Sequence, residues 1–242
     1  GALSSAASDV YKRQDHHKQS GELPEAVAVV DPQRTDCNIP FRDWAGVGVA
    51  FKTICAVEGD GEEELLDEFS DLVAIGTLAD VVPLKKENRA LVYEGLKRIN
   101  SGSRQGLEAL KNAAGVSGKK LGAGGISFTL APRINAAGRM GSAMTAFRLL
   151  LSDDENDAAE LAKTIDTYNK ERHSVENEIT KQAIAEIESR PDEKYASVIV
   201  VSGENWHQGV IGIVAARLCG KYGKPAVVIS VDGETVSYTH LT

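Results

Sequence analysis

Asp15-His16-His17 places a carboxyl group and two imidazoles in a row, and these are the side chains that hold Mn²⁺, Zn²⁺ or Fe²⁺. Along a straight strand neighbouring side chains point to opposite faces, so the three converge on one ion only where a strand ends and turns. An isolated Asp-His-His is more often a polar loop whose histidines cap a helix or titrate in water. Asp80 is a second candidate ligand, a lone acid in the apolar run GTLADVVPL from Gly76 to Leu84. A carboxylate there is costly to bury without a cation; a helix cap is the alternative. Ala131 to Arg139 (APRINAAGR) sets Arg133, Asn135 and Arg139 among small residues. Small residues leave room for a ligand and guanidinium forks suit phosphate, although a salt-bridged loop would use the same residues. His207 precedes an apolar helix, where it could help bind an anion or simply cap the helix.

The elements that must position these residues follow from apolar spacing. Ala26–Val30 reads as a buried strand ended by Asp31-Pro32, followed by a loop over Gln33–Asp43. Ala45–Val57 reads as a buried helix. Glu62–Ile75 has helical spacing and runs into the segment carrying Asp80. Asn88–Ile99 is an amphipathic helix, and Ser103–Ala114 is another with Ser103 as N-cap and Gly115 as stop. Lys119–Gly125 is a basic, glycine-rich loop without the lysine and serine of a P-loop. Ser142–Leu151 is a short helix. Ser152–Glu155 forms a capping box, and nothing breaks the helix that follows until Pro191. Its apolar stripe thins at Arg172, and its length suits a connector between two lobes. Ser197–Val201, Gly209–Tyr222 and Ala226–Ser230 form a β-α-β pattern.

Composition limits the options. The 242 residues are 42% hydrophobic and 26% charged, an ordinary globular balance. No apolar run reaches the length of a membrane-spanning helix. Cys37, Cys55 and Cys219 are few and widely spaced, which indicates neither a disulfide framework nor a zinc ribbon and makes a reducing cytoplasm the expectation. The net charge of −8 counts mildly against a nucleic-acid binder, yet Lys119, Lys120, Arg133 and Arg139 fall close together. Residues 1–14 lack an apolar h-region and the apolar strand that a buried catalytic loop should follow. Both they and residues 235–242 are expected to be non-native in origin and loosely packed.

Taken in order, Asp15-His16-His17, GVGVAFK (46–52), GTLADVVPL (76–84), PRINAAGR (132–139) and GENWHQGVIGIVAARL (203–218) closely resemble the RecJ-like single-strand exonucleases of the DHH phosphoesterase superfamily. The resemblance covers about Asp15 to Glu234. It implies an α/β architecture: an incomplete DHH phosphoesterase lobe (15–151), a long connecting helix (152–190) and the start of a smaller α/β DHH-associated lobe (191–234). It also implies 5′→3′ hydrolysis of single-stranded DNA by two ions, Mn²⁺ with Mg²⁺ as a substitute. By position, His16 and Asp80 would ligate metal, His17 would bind or polarise the scissile phosphate, and Asp15 would orient the histidines or touch a metal. Arg133, Asn135, Arg139 and His207 would lie along the nucleic acid, Arg139 at a 5′-phosphate. Helicases or single-strand-binding proteins are the partners implied. Motifs supplying further metal-binding aspartates should precede Asp15, so this chain is expected to hold half a metal site and little activity. The other readings are a DHH enzyme acting on short oligonucleotides, cyclic dinucleotides or polyphosphate, and a non-catalytic binding module.

Overall fold

The computed structural model describes residues 12–14, 16–19, 21–23, 25–26, 28–59, 62–102, 104–190, 197–233 and 235–241. Asp15 and Ser103 lie outside these residues, so the roles expected of them are not addressed by the fold. The chain divides into two compact units, Gly1–Pro132 and Arg133–Thr242.

In the first unit, β1 (Lys12–Gln14) pairs in parallel with β2 (Ala28–Val30), Arg13 opposite Val29. The three residues of β1 are the described residues of the segment 1–14. Parallel pairing uses backbone N–H and C=O groups that every non-proline residue carries, so a segment without apolar side chains can still take the strand position. α1 (Gly46–Glu58) and α2 (Glu62–Ala79) follow. Phe51 and Cys55 of α1, Val73 of α2 and Leu91 of α3 (Lys86–Ser101) form one apolar cluster, with Val47, Leu65, Leu66 and Phe69 packed around it. α4 (Gln105–Ala113) begins after Arg104. Under these helices Asp71 is fully buried. Its carboxylate accepts from Arg104 Nε at 2.8 Å and from the Leu72 amide at 2.8 Å, with Arg98 Nε 3.6 Å away.

Residues 119–140 depart most from the sequence reading. Ala123 onward is helical: α5 (Ala123–Gly125), a π-helical segment Ile126–Leu130, and α6 (Ala131–Met140). The glycine-rich loop therefore ends at Gly122, and PRINAAGR is helix. Pro132 lacks an N–H and its ring crowds the carbonyl four residues back, which breaks a regular α-helix. The wider π spacing just before it absorbs that defect.

The second unit contains α7 (Ala143–Leu151) and α8 (Glu155–Ser189). α7 packs on α8. Asp154, not Ser152, is the N-cap of α8, accepting from the Asp157 amide at 2.8 Å. β3 (Ile199–Glu204), α9 (Gln208–Tyr222) and β4 (Ala226–Asp232) form the expected β-α-β unit, with β3 and β4 parallel. Ile179, Ala183 and Ile187 of α8 close its core against Val210, Val214 and Leu218 of α9 and against Ile199, Val201 and Val228. β5 (Thr235–Leu241) pairs antiparallel with β4 along its length. Its side chains stay largely outside the core, Tyr238 being 70% exposed; backbone pairing rather than apolar content makes it a strand.

Candidate functional site

His16 follows the end of β1, and Asp80 follows the end of α2. The fold brings them together: His16 Nδ1 lies 3.4 Å from Asp80 Oδ2. The His17 ring sits against the His16 ring, centroids 4.2 Å apart and tilted by 41°. Three of the four residues expected at the metal are thus neighbours, and the fourth, Asp15, is outside the described residues.

The placement of Asp80 is informative. Its amide closes the last turn of α2 by donating to Gly76 O, so the carboxylate sits at a helix C-terminus. Acids cap helix N-termini; the C-terminal end carries partial negative charge and disfavours a carboxylate. The cap alternative is therefore not what the fold realises. Val81 next to it has φ of 58°, a left-handed conformation that costs a β-branched residue about 1–2 kcal/mol. A dipole-opposed carboxylate beside a strained residue is what a cation at this point would compensate.

One imidazole and one carboxylate form a donor set suited to Mn²⁺. Two ligand atoms each about 2.1 Å from a common ion, at near-octahedral to tetrahedral angles, are about 3.0–3.4 Å apart; the observed separation is 3.4 Å. Gly46, first residue of α1, leaves space for the ring: a Cβ there would come 3.3 Å from His16 Cδ2 and 3.8 Å from Nε2. The residues present fit a divalent ion. They do not complete its sphere, since no cluster of three or more His, Cys, Asp or Glu side chains gathers among the described residues. An apolar cleft of about 480 Å³ lined by Val29, Trp44 and Val49 also lies in this unit, and neither histidine nor Asp80 lines it.

In the second unit Arg139 and His207 meet at Gly209. Arg139 Nη1 donates to Gly209 O at 2.9 Å, and His207 Nδ1 accepts from the Gly209 amide at 3.1 Å. His207 is thus the N-cap of α9, the capping alternative read from its position. A side chain at Gly209 is excluded, because its Cβ would lie 2.7 Å from Arg139 O. Both Arg139 and Asn135 are exposed. Arg133 is mostly covered, its Nε donating to Asp166 Oδ1 at 2.9 Å; the ion-paired alternative is realised, on a helix and not in a loop. Burial alone would push the Asp166 carboxyl up, but hydrogen bonds from Lys170 and Arg133 outweigh it and hold it below the usual range.

The sequence reading missed the polar centre of α8. Asp166, Asn169, Arg172 and Glu176 are all buried. Glu176 Oε2 accepts from Arg172 Nη1 at 2.6 Å, and Glu176 Oε1 lies 2.6 Å from Arg217 Nε of α9. Arg172 also donates to Asn169 and, at 2.6 Å, to His173 Nε2. A guanidinium only donates, so His173 Nε2 is unprotonated. Burial, with Arg172 and Arg217 nearby, lowers the His173 pKa against the opposing pull of Glu176. Polar residues recurring at helical spacing through the thin part of the stripe were the available signal.

These features agree with what the chain is similar to. Residues 4–77 match the DHH family, N-terminal domain. The chain is 42% identical over 220 residues to the single-stranded-DNA-specific exonuclease RecJ of Bacillus subtilis, covering 91% of this chain and 27% of that protein. The chain is thus similar to the DHH family over residues 4–77 and to RecJ over most of its length. Among solved structures, RecJ of Thermus thermophilus in complex with Mn²⁺ matches this RecJ-like chain with a TM-score of 0.77 at 36% identity, over 96% of this chain and 34% of that one. The same protein in complex with Mg²⁺ matches with a TM-score of 0.72 at 37% identity, over 88% of this chain and 33% of the other. The RecJ-like chain therefore spans about a third or less of each of these proteins.

Proposed function

We propose that this chain supplies part of a metal-dependent single-stranded-DNA exonuclease that hydrolyses phosphodiester bonds in the 5′→3′ direction. The observation that carries the reading is the meeting of His16 and Asp80, remote in sequence, at a ligand-to-ligand distance. In support, the relatives are named single-stranded-DNA-specific exonucleases, and their solved structures hold Mn²⁺ or Mg²⁺.

His16 and Asp80 would hold a divalent ion, Mn²⁺ or Mg²⁺. Such ions, in pairs about 3.5–4 Å apart, lower the pKa of water and neutralise charge on the phosphate. The neighbouring His17 imidazole donates to a phosphate oxygen, and Asp15 orients the histidines or adds a ligand. Arg139 takes a 5′-phosphate, while Arg133, Asn135 and His207 lie along the strand. Imidazole must be neutral to ligate, so acid weakens metal binding. Two ligands fall short of a full sphere, so the longer protein completes the site and the 242-residue chain digests little by itself. We assign the protein to the cytoplasm, acting with helicases or single-strand-binding proteins; no helix among the described residues is long and apolar enough to cross a membrane.

The test is Mn²⁺-dependent digestion of 3′-labelled single strands by a full-length protein containing this sequence. His16→Ala and Asp80→Ala should abolish it. Undiminished digestion by the full-length His16→Ala variant refutes the assignment, and rapid digestion by the 242-residue chain alone refutes the expectation that it digests little by itself. Activity confined to dinucleotides favours the oligonucleotide-degrading alternative.

A further inference from the structure

We propose that Arg217 of α9, aimed by the buried carboxylate of Glu176, is a contact for the nucleic-acid backbone, and that Glu176 is its positioning residue. The proposal rests on the nucleic-acid reading above and adds to it a residue outside the Arg133–Arg139 stretch and His207.

The argument starts from how the guanidinium is held. Arg217 Nε lies 2.6 Å from Glu176 Oε1, and Nη1 donates to Asn177 Oδ1 at 2.9 Å. One edge of the fork is fixed by two adjacent residues of α8. No partner among the described residues takes Nη2, and the side chain is 43% exposed. Glu176 itself is 3% exposed and serves Arg172 with its other oxygen. A carboxylate so deeply buried is costly unless each oxygen is paired. Here one acid locks two guanidiniums, one on its own helix and one on α9. Arg172 directs Nη1 and Nη2 into the protein, to Glu176, Asn169 and His173. Arg217 presents its unused donors to solvent.

The surroundings are cationic although the chain carries a net charge of −8. Arg139 and Arg217 are both close enough to Arg172 to press on its charge. Asp166 is shared in the same way by Arg133 and by Lys170, whose side chain is 76% exposed. Within this network four cationic side chains (Arg133, Lys170, Arg172, Arg217) are paired with two carboxylates (Asp166, Glu176), which leaves a surplus of two, and Arg139 lies near Arg172. Two buried acids under a surplus of arginines form a held array and not a loose basic surface. A phosphodiester backbone offers repeated single negative charges to such an array.

The experiment uses the 242-residue chain in EDTA, so that binding is read without cleavage. A 5′-phosphorylated, 3′-fluorescein oligothymidylate is titrated by anisotropy from 50 to 300 mM NaCl. Each phosphate contact on a single strand contributes about 0.7 to the slope of log K against log salt, or about fivefold in affinity at 0.1 M. Arg217→Gln is expected to lower the slope by about 0.7. Lys97→Gln, which removes the same charge from α3, should leave it unchanged. Glu176→Gln separates positioning from charge: it makes the chain more positive, so a diffuse basic patch would bind more tightly, whereas loss of aim weakens binding. An unchanged slope in Arg217→Gln, or tighter binding by folded Glu176→Gln, overturns the proposal, as does absence of binding by the unsubstituted chain. If Glu176→Gln does not fold, Arg217→Gln decides alone, its side chain being partly in solvent. The His16–Asp80 reading is judged separately, by digestion, so the two fail independently.

Discussion

Gly46→Ala is the most informative single perturbation, because the structure separates its effect on the metal site from its effect on folding. The new methyl carbon would stand 3.3 Å from His16 Cδ2, closer than ordinary van der Waals contact. The ring must yield by a few tenths of an ångström, and metal sites tolerate ligand displacements of only about 0.2 Å. Loss of alignment of this kind costs about 10–100-fold in metal affinity. Folding should scarcely notice. Gly46 opens α1 and does not have a left-handed φ, so alanine brings up to about 1 kcal/mol of helix propensity, less at an end. Against the crowding this leaves a change of roughly 3 °C or less in Tm.

The assay is Mn²⁺ titration of the imidazole Cε1–H resonances. The protein has five histidines, and His16 and His17 should broaden at lower Mn²⁺ than His173, His207 and His240. In Gly46→Ala the midpoint for His16 should rise about tenfold, and Asp80→Asn should do the same. Equal broadening of all five histidines in the unsubstituted protein would refute a metal centre at His16. An unchanged midpoint in Gly46→Ala would refute the claim that the glycine keeps the ring in place.

Other outcomes follow from the same structure. Asp71→Ala removes the buried carboxylate shared by Arg98, which also faces Asp67, and Arg104, which also donates to Glu68 O; allowing for solvent screening, urea denaturation should show a loss of about 2 kcal/mol. Val81→Gly relieves the left-handed residue after Asp80 and should raise stability by about 0.5–1 kcal/mol in the same assay. His173 has a pKa depressed by burial first and then by Arg172, Arg217 and Arg133, with Glu176 favouring its charge. Its contribution is fully present above the unfolded histidine value of about 6.5 and is lost as pH falls through the lower folded value. His173→Gln should therefore flatten the fall in stability below pH of about 6.5, measured by denaturation at a series of pH values; an unchanged profile would show that His173 does not titrate as its contacts require.

The sequence by itself determined the elements whose apolar spacing repeats: α1, α2, α3, α9 and the strands around it are where periodicity puts them. It also singled out His16 and Asp80 as candidate ligands, because an acid and two imidazoles in a row, and a lone acid in an apolar run, are chemically conspicuous. Only the tertiary structure decided that His16 and Asp80 meet, since a distance between residues remote in sequence is set by packing and not by local preference. Strands β1 and β5 were illegible for a related reason: they are held by backbone pairing, to which side chains contribute little. The loop alternative weighed for residues 131–139 is a helix, because a π-helical segment before Pro132 accommodates what would end an ordinary helix. The network at Glu176 was hidden most deeply. In one dimension Arg172 is a gap in an apolar stripe; in three, the α9 arginine that shares its carboxylate makes the gap a buried ion-pair network.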